Sequence, residues 1–178
     1  MSIINFSNTR QMEGLFDAIN PIKELIESKI NLSRTADREK RINLNQNKIM
    51  HICFIVGLSL PTKRSIDDYK DIQLSVSSIR ITPSFFTMHD LSTLYSALLK
   101  LRYADLNIDW TQNATLSRII AAEMLRGRDY LMSDNNLDSF LYAMNNKVAM
   151  AKDIPVLNLL IGNYGDEEME ATLDINSR

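Results

Sequence analysis

Three side chains in this sequence could do chemistry: His51 and Cys53, two positions apart in NKIMHICFIVGLSLPTK (47–63), and His89 further along. A thiol beside an imidazole is a pairing used in nucleophilic catalysis, and both residue types also ligate metals. A reactive thiol needs exposure and neighbouring positive charge, yet Cys53 lies in the most apolar run of the chain. That placement predicts a small buried hydrophobe at Cys53 and a hydrogen-bonded core or interface residue at His51. Cys53 is the single cysteine, so neither an intrachain disulfide nor a cysteine-based zinc cluster can form within the chain. The sequence has no Gly-rich phosphate loop, no serine-nucleophile motif and no histidine pair at metal spacing. We therefore expect no catalytic residues, no metal ligands and no cofactor.

The element that carries His51 and Cys53 can be read directly. Ile49 to Leu60 is too short for a bilayer crossing, which needs about 20 apolar residues. Apolar residues cover almost its whole circumference, interrupted by His51, Gly57 and Ser59, which marks the central helix of a core, over about 47–60. Pro61 ends it, because proline disfavours helical geometry in the residue before it.

Around this helix, five glycines and four prolines against nine methionines favour an all-α protein, a compact helical bundle. Asn8 with Gln11 three residues on predicts a helix start, with Met12, Leu15, Phe16 and Ile19 on one face. Asn20-Pro21 predicts a restart, with Ile22, Leu25, Ile26 and Ile30 lining a second short helix. In IQLSVSSIRI (72–81) the alternation of Ile72, Leu74 and Val76 with polar residues predicts at most a short β ribbon. Thr87-Met88-His89-Asp90 matches a capping box ahead of Leu91, Leu94, Tyr95, Leu98 and Leu101. Further helices are expected from Leu116 to Gly127 or a turn later, and through Leu137, Phe140, Leu141, Met144 and Val148. After Pro155 the run VLNLLI (156–161) is expected to pack locally, and the acidic end from Gly165 to be disordered.

Charge is segregated along the chain. From Lys23 to Arg64 there are nine Lys/Arg against four Asp/Glu, whereas from Met132 to Arg178 there are three against eight. The formal charge of −2 is thus the sum of a basic front and an acidic end. A basic segment can make phosphate contacts, which need positive charge at the nucleic-acid backbone. A solvated face with internal ion pairs, such as Asp37 with Arg41, is the alternative. The first residues lack the basic flank and apolar core of a signal peptide, which predicts a cytoplasmic protein.

In order along the chain, INLSRTAD (30–37), the apolar helix ending GLSL (57–60), FTMHDLSTLYSALLKLR (86–102) and LRGRDYL (125–131) resemble the DndE family of bacterial DNA phosphorothioation systems. The resemblance spans Lys29 to Leu131. Asn45-Gln46-Asn47 stands where the family has a Thr-Gly turn, an arginine common in its buried helix is replaced near Cys53, and Met88 stands where it has glycine. Set against the family core at 29–131, residues 1–28 read as an N-terminal helical extension, 132–164 as a C-terminal one and 165–178 as an acidic tail.

The resemblance implies a small all-α homotetramer that binds duplex DNA, with a preference for nicked duplex, beside other subunits of the phosphorothioation machinery that carry the chemistry. On that reading the candidate phosphate contacts are Lys29, Arg34, Arg38, Lys40, Arg41, Lys48, Lys63 and Arg64, chosen by charge clustering and not by a residue-to-residue match. The competing expectation is a helical protein-interaction adaptor, or a phage or defence-system subunit, without DNA binding. An independent enzyme built on His51, Cys53 and His89 comes third.

Overall fold

The computed structural model describes residues 3–32, 45–61, 68, 74–133 and 135–146. They form five helices and a two-stranded antiparallel ribbon: β1 (Arg10–Glu13), α1 (Leu15–Leu32), α2 (Gln46–Ser59), β2 (Ser75–Arg80), α3 (His89–Arg102), α4 (Asn113–Met132) and α5 (Asn136–Asn146). Short 3-10 turns at Phe6–Asn8 and Ser84–Phe86 precede β1 and α3. The fold is the all-α bundle with a small ribbon that composition and periodicity predict. Among the described helices none is long and apolar enough to cross a membrane.

α2 is the buried element. Asn45 caps it, its side chain accepting from the Asn47 backbone N–H at 2.9 Å, and Leu60 at its end has left helical geometry, one residue before Pro61. Every residue from Cys53 to Leu58 is buried. Its main neighbour is α4, which also touches α1, α5 and the ribbon, so α4 is the hub of the molecule.

Two glycines set the α2–α4 contact. A Cβ at Gly57 would stand 1.8 Å from the Glu123 carbonyl oxygen, and a Cβ at Gly127 would stand 1.8 Å from the Cys53 carbonyl oxygen. Each glycine therefore points a Cα–H at a backbone oxygen of the other helix, a weak hydrogen bond that recurs where helices pack closely. The pairs Cys53/Gly57 and Glu123/Gly127 are each four residues apart, so they lie on one face of their helix and engage reciprocally. Cys53 is small enough to sit inside this crossing.

A second cluster fastens the chain's beginning to α2 and α3. Phe6 stacks on Phe86 at 4.0 Å between centroids, Phe54 meets Tyr95 edge-on at 5.2 Å, and Tyr95 is fully buried. The backbone N–H of Ile4 donates to the Ser96 hydroxyl at 2.7 Å. Ile4, Phe6, Met12, Leu15, Ile19, Ile22 and Ile26 thus join the same core as α2, α3 and α4.

The N-terminal region departs from its expected pattern. Residues 10–13, expected in a helix starting at Asn8, are β1, which pairs with β2 in the register Arg10↔Arg80, Met12↔Val76 and Glu13↔Ser75. Gly14 then turns the chain with φ 81°, a conformation open to glycine at little cost, and α1 begins at Leu15. α1 does not stop at Pro21. Proline cannot donate to the Asp17 carbonyl and its ring crowds that turn, but Arg128 of α4 reaches the same turn and donates to the Ala18 carbonyl at 2.9 Å. This bond ties α1 to α4 one residue from the carbonyl that Pro21 leaves without its helical donor.

Thr87 is not the cap of α3: its hydroxyl turns back to the Ser84 carbonyl at 2.6 Å, and Met88 occupies the N-cap position without a side-chain bond. α4 starts at Asn113, three residues before Leu116, and runs on to Met132. The expected apolar run 156–161 and the acidic tail lie outside the described residues.

The glycine contact gives a direct expectation. Gly57→Ala and Gly127→Ala each place a methyl group against helix backbone, which cannot rotate away as a side chain would. Each is expected to lower unfolding free energy by at least about 3 kcal/mol, the upper range for overpacked cores, read from urea denaturation midpoints.

Candidate functional site

Two of the three residues singled out for reactivity, Cys53 and His51, are buried in the core. Cys53 is fully buried, and burial pushes its thiol up to about 12, so no appreciable thiolate exists near neutral pH. His51 is stacked on Phe85 at 4.2 Å between parallel rings, and its Nε2 is hydrogen-bonded to the Tyr95 hydroxyl. Burial lowers His51 to about 3, which keeps the imidazole neutral. His89 is exposed at the start of α3, 3.5 Å from Asp90, and far in role from the aromatic cluster. Among the described residues no three His, Cys, Asp or Glu side chains gather as a metal site would require.

The polar centre of the molecule is one that the sequence reading missed. Glu123, 1 % exposed, sits in the middle of α4 at the crossing with α2. Its Oε1 accepts from Arg102 Nε at 2.8 Å and from the Tyr103 hydroxyl at 2.6 Å, and its Oε2 lies 2.9 Å from Arg126 Nη2. The two arginines also close the end of α2: Arg102 donates to the Leu58 and Leu60 carbonyls at 3.1 and 2.5 Å, and Arg126 to the Leu60 carbonyl at 3.2 Å. These carbonyls belong to the last turn of a helix and just beyond it, where no intrahelical N–H is available. Burial first, then the Glu123 charge, pushes the Tyr103 phenol above its ordinary range, so it remains a donor.

This cluster therefore joins α2, α3 and α4 by charge-assisted hydrogen bonds where their backbones already touch. Within IIAAEMLRGR (119–128) the signal was present: a lone glutamate in an apolar helical run, three residues before an arginine. Its partners Arg102 and Tyr103, and the Leu58 and Leu60 carbonyls that the arginines serve, come from other elements, so periodicity could not assemble them.

Of the eight candidate phosphate contacts, two fall on described residues. Lys29 is in the last turn of α1, and its Nζ donates to Asp138 of α5 at 2.5 Å, tying these two helices together. Lys48 is exposed in the first turn of α2. A cation there faces the positive end of the helix dipole, so the helix gains nothing from it. Arg34, Arg38, Lys40, Arg41, Lys63 and Arg64 lie outside the described residues, as does the ion pair expected between Asp37 and Arg41.

Among the described residues a cleft opens between the ribbon, α1 and α4, walled by Met12, Leu15, Phe16, Met50, Ile120 and Met124, with Arg10 beside it. Its volume is about 40 Å³. Small-molecule sites usually hold roughly 300–1,000 Å³, so this cleft is too small for one. No protein-family model, curated protein or solved structure matches the chain.

Two outcomes follow from the buried groups. His51 has an ordinary pKa in the unfolded chain and a lowered one in the folded chain, so below about pH 6.5 the unfolded state binds more protons. Stability is expected to fall as pH drops from there toward 3, by up to about 1.4 kcal/mol per pH unit from this residue. His51→Phe should flatten that part of a pH series of denaturation curves. Glu123→Gln leaves two arginines without their carboxylate and is expected to cost about 3 kcal/mol or more in the same assay at neutral pH.

Proposed function

We propose that this chain is a non-catalytic DNA-binding accessory protein of the DndE type, acting in the cytoplasm as a homo-oligomer beside other subunits of a DNA phosphorothioation system. The observation that carries the reading is charge placement: nine cations against four acids between Lys23 and Arg64, in a chain of net charge −2. Lys48, exposed where it does not help its own helix, is the described member of that set best placed for an outside phosphate. Lys29 is engaged with Asp138, so its charge is shared with the fold. The commitment of His51, Cys53 and Glu123 to internal contacts agrees with a protein that binds and does not transform.

Oligomerisation would strengthen such binding, because each subunit repeats the same modest basic segment and phosphate contacts add along a duplex. A second reading, a helical adaptor for a protein partner, is favoured by the exposed Leu101 and Leu106, 75 % and 52 % accessible at the end of α3 and just beyond it.

Titration of matched intact and nicked duplexes at two salt concentrations, with light scattering for mass, separates the two. The DNA reading expects salt-sensitive binding by an oligomer, tighter on nicked duplex. Arg38→Ala, Lys40→Ala and Arg41→Ala combined should weaken binding evenly across sequences and reduce the log–log salt slope by about 0.9 per lost contact. Absence of binding at low salt, with retention of a protein partner, would establish the adaptor instead.

A further inference from the structure

The β1–β2 register pairs Arg10 with Arg80, with a bulge between this rung and the Met12–Val76 one. Opposed residues of an antiparallel pair project from the same face with Cα atoms about 5 Å apart, and like charges so placed repel. Proteins normally relieve such a pair with a carboxylate. Here neither guanidinium is in an ion pair among the described residues, and Arg80 is exposed. The ribbon's acid, Glu13, is at the opposite end, where it accepts from the Ser75 hydroxyl at 3.0 Å.

Hydrogen bonds tie the rung to its neighbours. The Arg10 backbone N–H donates to the Ser117 hydroxyl at 2.7 Å, and that hydroxyl donates to the Asn113 carbonyl, so β1 is bonded to the first turns of α4. On the next position, Ile81 N–H donates to the Thr9 carbonyl at 3.2 Å, and the Thr9 hydroxyl returns a bond to the Ile81 carbonyl at 2.8 Å. The Arg10 guanidinium donates to the Ser78 carbonyl through Nη1, which fixes its direction and leaves the rest of its donor fork open.

Two guanidinium groups on one rung, with repulsion that an anion would relieve, carry the donors that phosphate oxygens accept from. We propose that Arg10 and Arg80 form a phosphate clamp that grips the backbone of a DNA duplex. This rests on the DNA-binding reading above and extends it to a surface that charge counting along the sequence did not select. It brings Arg10, from the segment before the DndE-like stretch, together with Arg80 from within it. Preorganisation lowers the ordering cost of the contact.

The test uses the full chain and Arg80→Gln, which removes the charge from an exposed side chain without disturbing the Arg10 bonds, with Arg80→Lys as the charge-preserving control. Fluorescence anisotropy of a labelled duplex is followed across a salt series, with circular dichroism to verify folding. The clamp requires Arg80→Gln to lose up to about fivefold in affinity, the scale of an exposed ion pair. It also requires the salt slope to fall by about 0.9, with Arg80→Lys retaining the wild-type slope. Unchanged affinity and slope in Arg80→Gln, with the wild type binding normally, overturns the clamp and leaves the DNA reading standing. A wild type that binds no duplex at low salt overturns both. If inorganic phosphate perturbs the arginines while Arg80→Gln binds duplex as the wild type does, free phosphate is the occupant and the DNA clamp is overturned.

Discussion

The fold depends on the approach of α2 and α4 to backbone contact. Gly57 and Gly127 allow carbonyl oxygens of one helix to lie where a side chain of the other would begin. That closeness brings Glu123 to the end of α2, within reach of arginines that serve both its carboxylate and the carbonyls at Leu58 and Leu60. It also explains why α2 is apolar around its circumference. With α4 on one side and the Phe6, Phe85, Phe86 and Tyr95 cluster on another, little of its surface meets water.

Burying a carboxylate with two arginines is no simple gain in stability, because all three groups lose hydration. What the arrangement supplies is direction. An apolar contact would tolerate a shift of α3 along α2, whereas Arg102 must meet Glu123 Oε1 and two carbonyls together. The aromatic cluster uses the same logic with a neutral pair, as the Tyr95 hydroxyl requires the His51 ring at one position and orientation.

Local features were legible in the sequence where their causes were local. The buried helix and its end before Pro61 follow from composition and one proline, and the burial of Cys53 follows from its apolar neighbours. The short ribbon was visible in Leu74 and Val76, but its partner was not. β1 is four residues long and gains its identity from β2, more than sixty positions on, and from Ser117. The predicted break at Asn20-Pro21 does not occur, since α1 runs through Pro21 and is tied to α4 by Arg128 at the Ala18 carbonyl, and Thr87 failed as a cap because the Ser84 carbonyl took its hydroxyl. For the site the limit was sharper. The basic segment is evident as charge, yet the Arg10–Arg80 rung exists only once two strands are in register. Gly57, an apparent interruption of an apolar helix, gave its packing role no sequence signature without Gly127 beside it.

The glycine crossing has a mechanical side. A junction of backbone against backbone contains no rotamers at its closest points and encloses almost no free volume. Hydrostatic pressure acts on a protein through voids that unfolding eliminates. The α2–α4 junction offers it nothing, so compression should be taken up first in the cleft beside Met50 and Ile120, where the ribbon meets the bundle. Compression is thus resisted where the two buried helices cross.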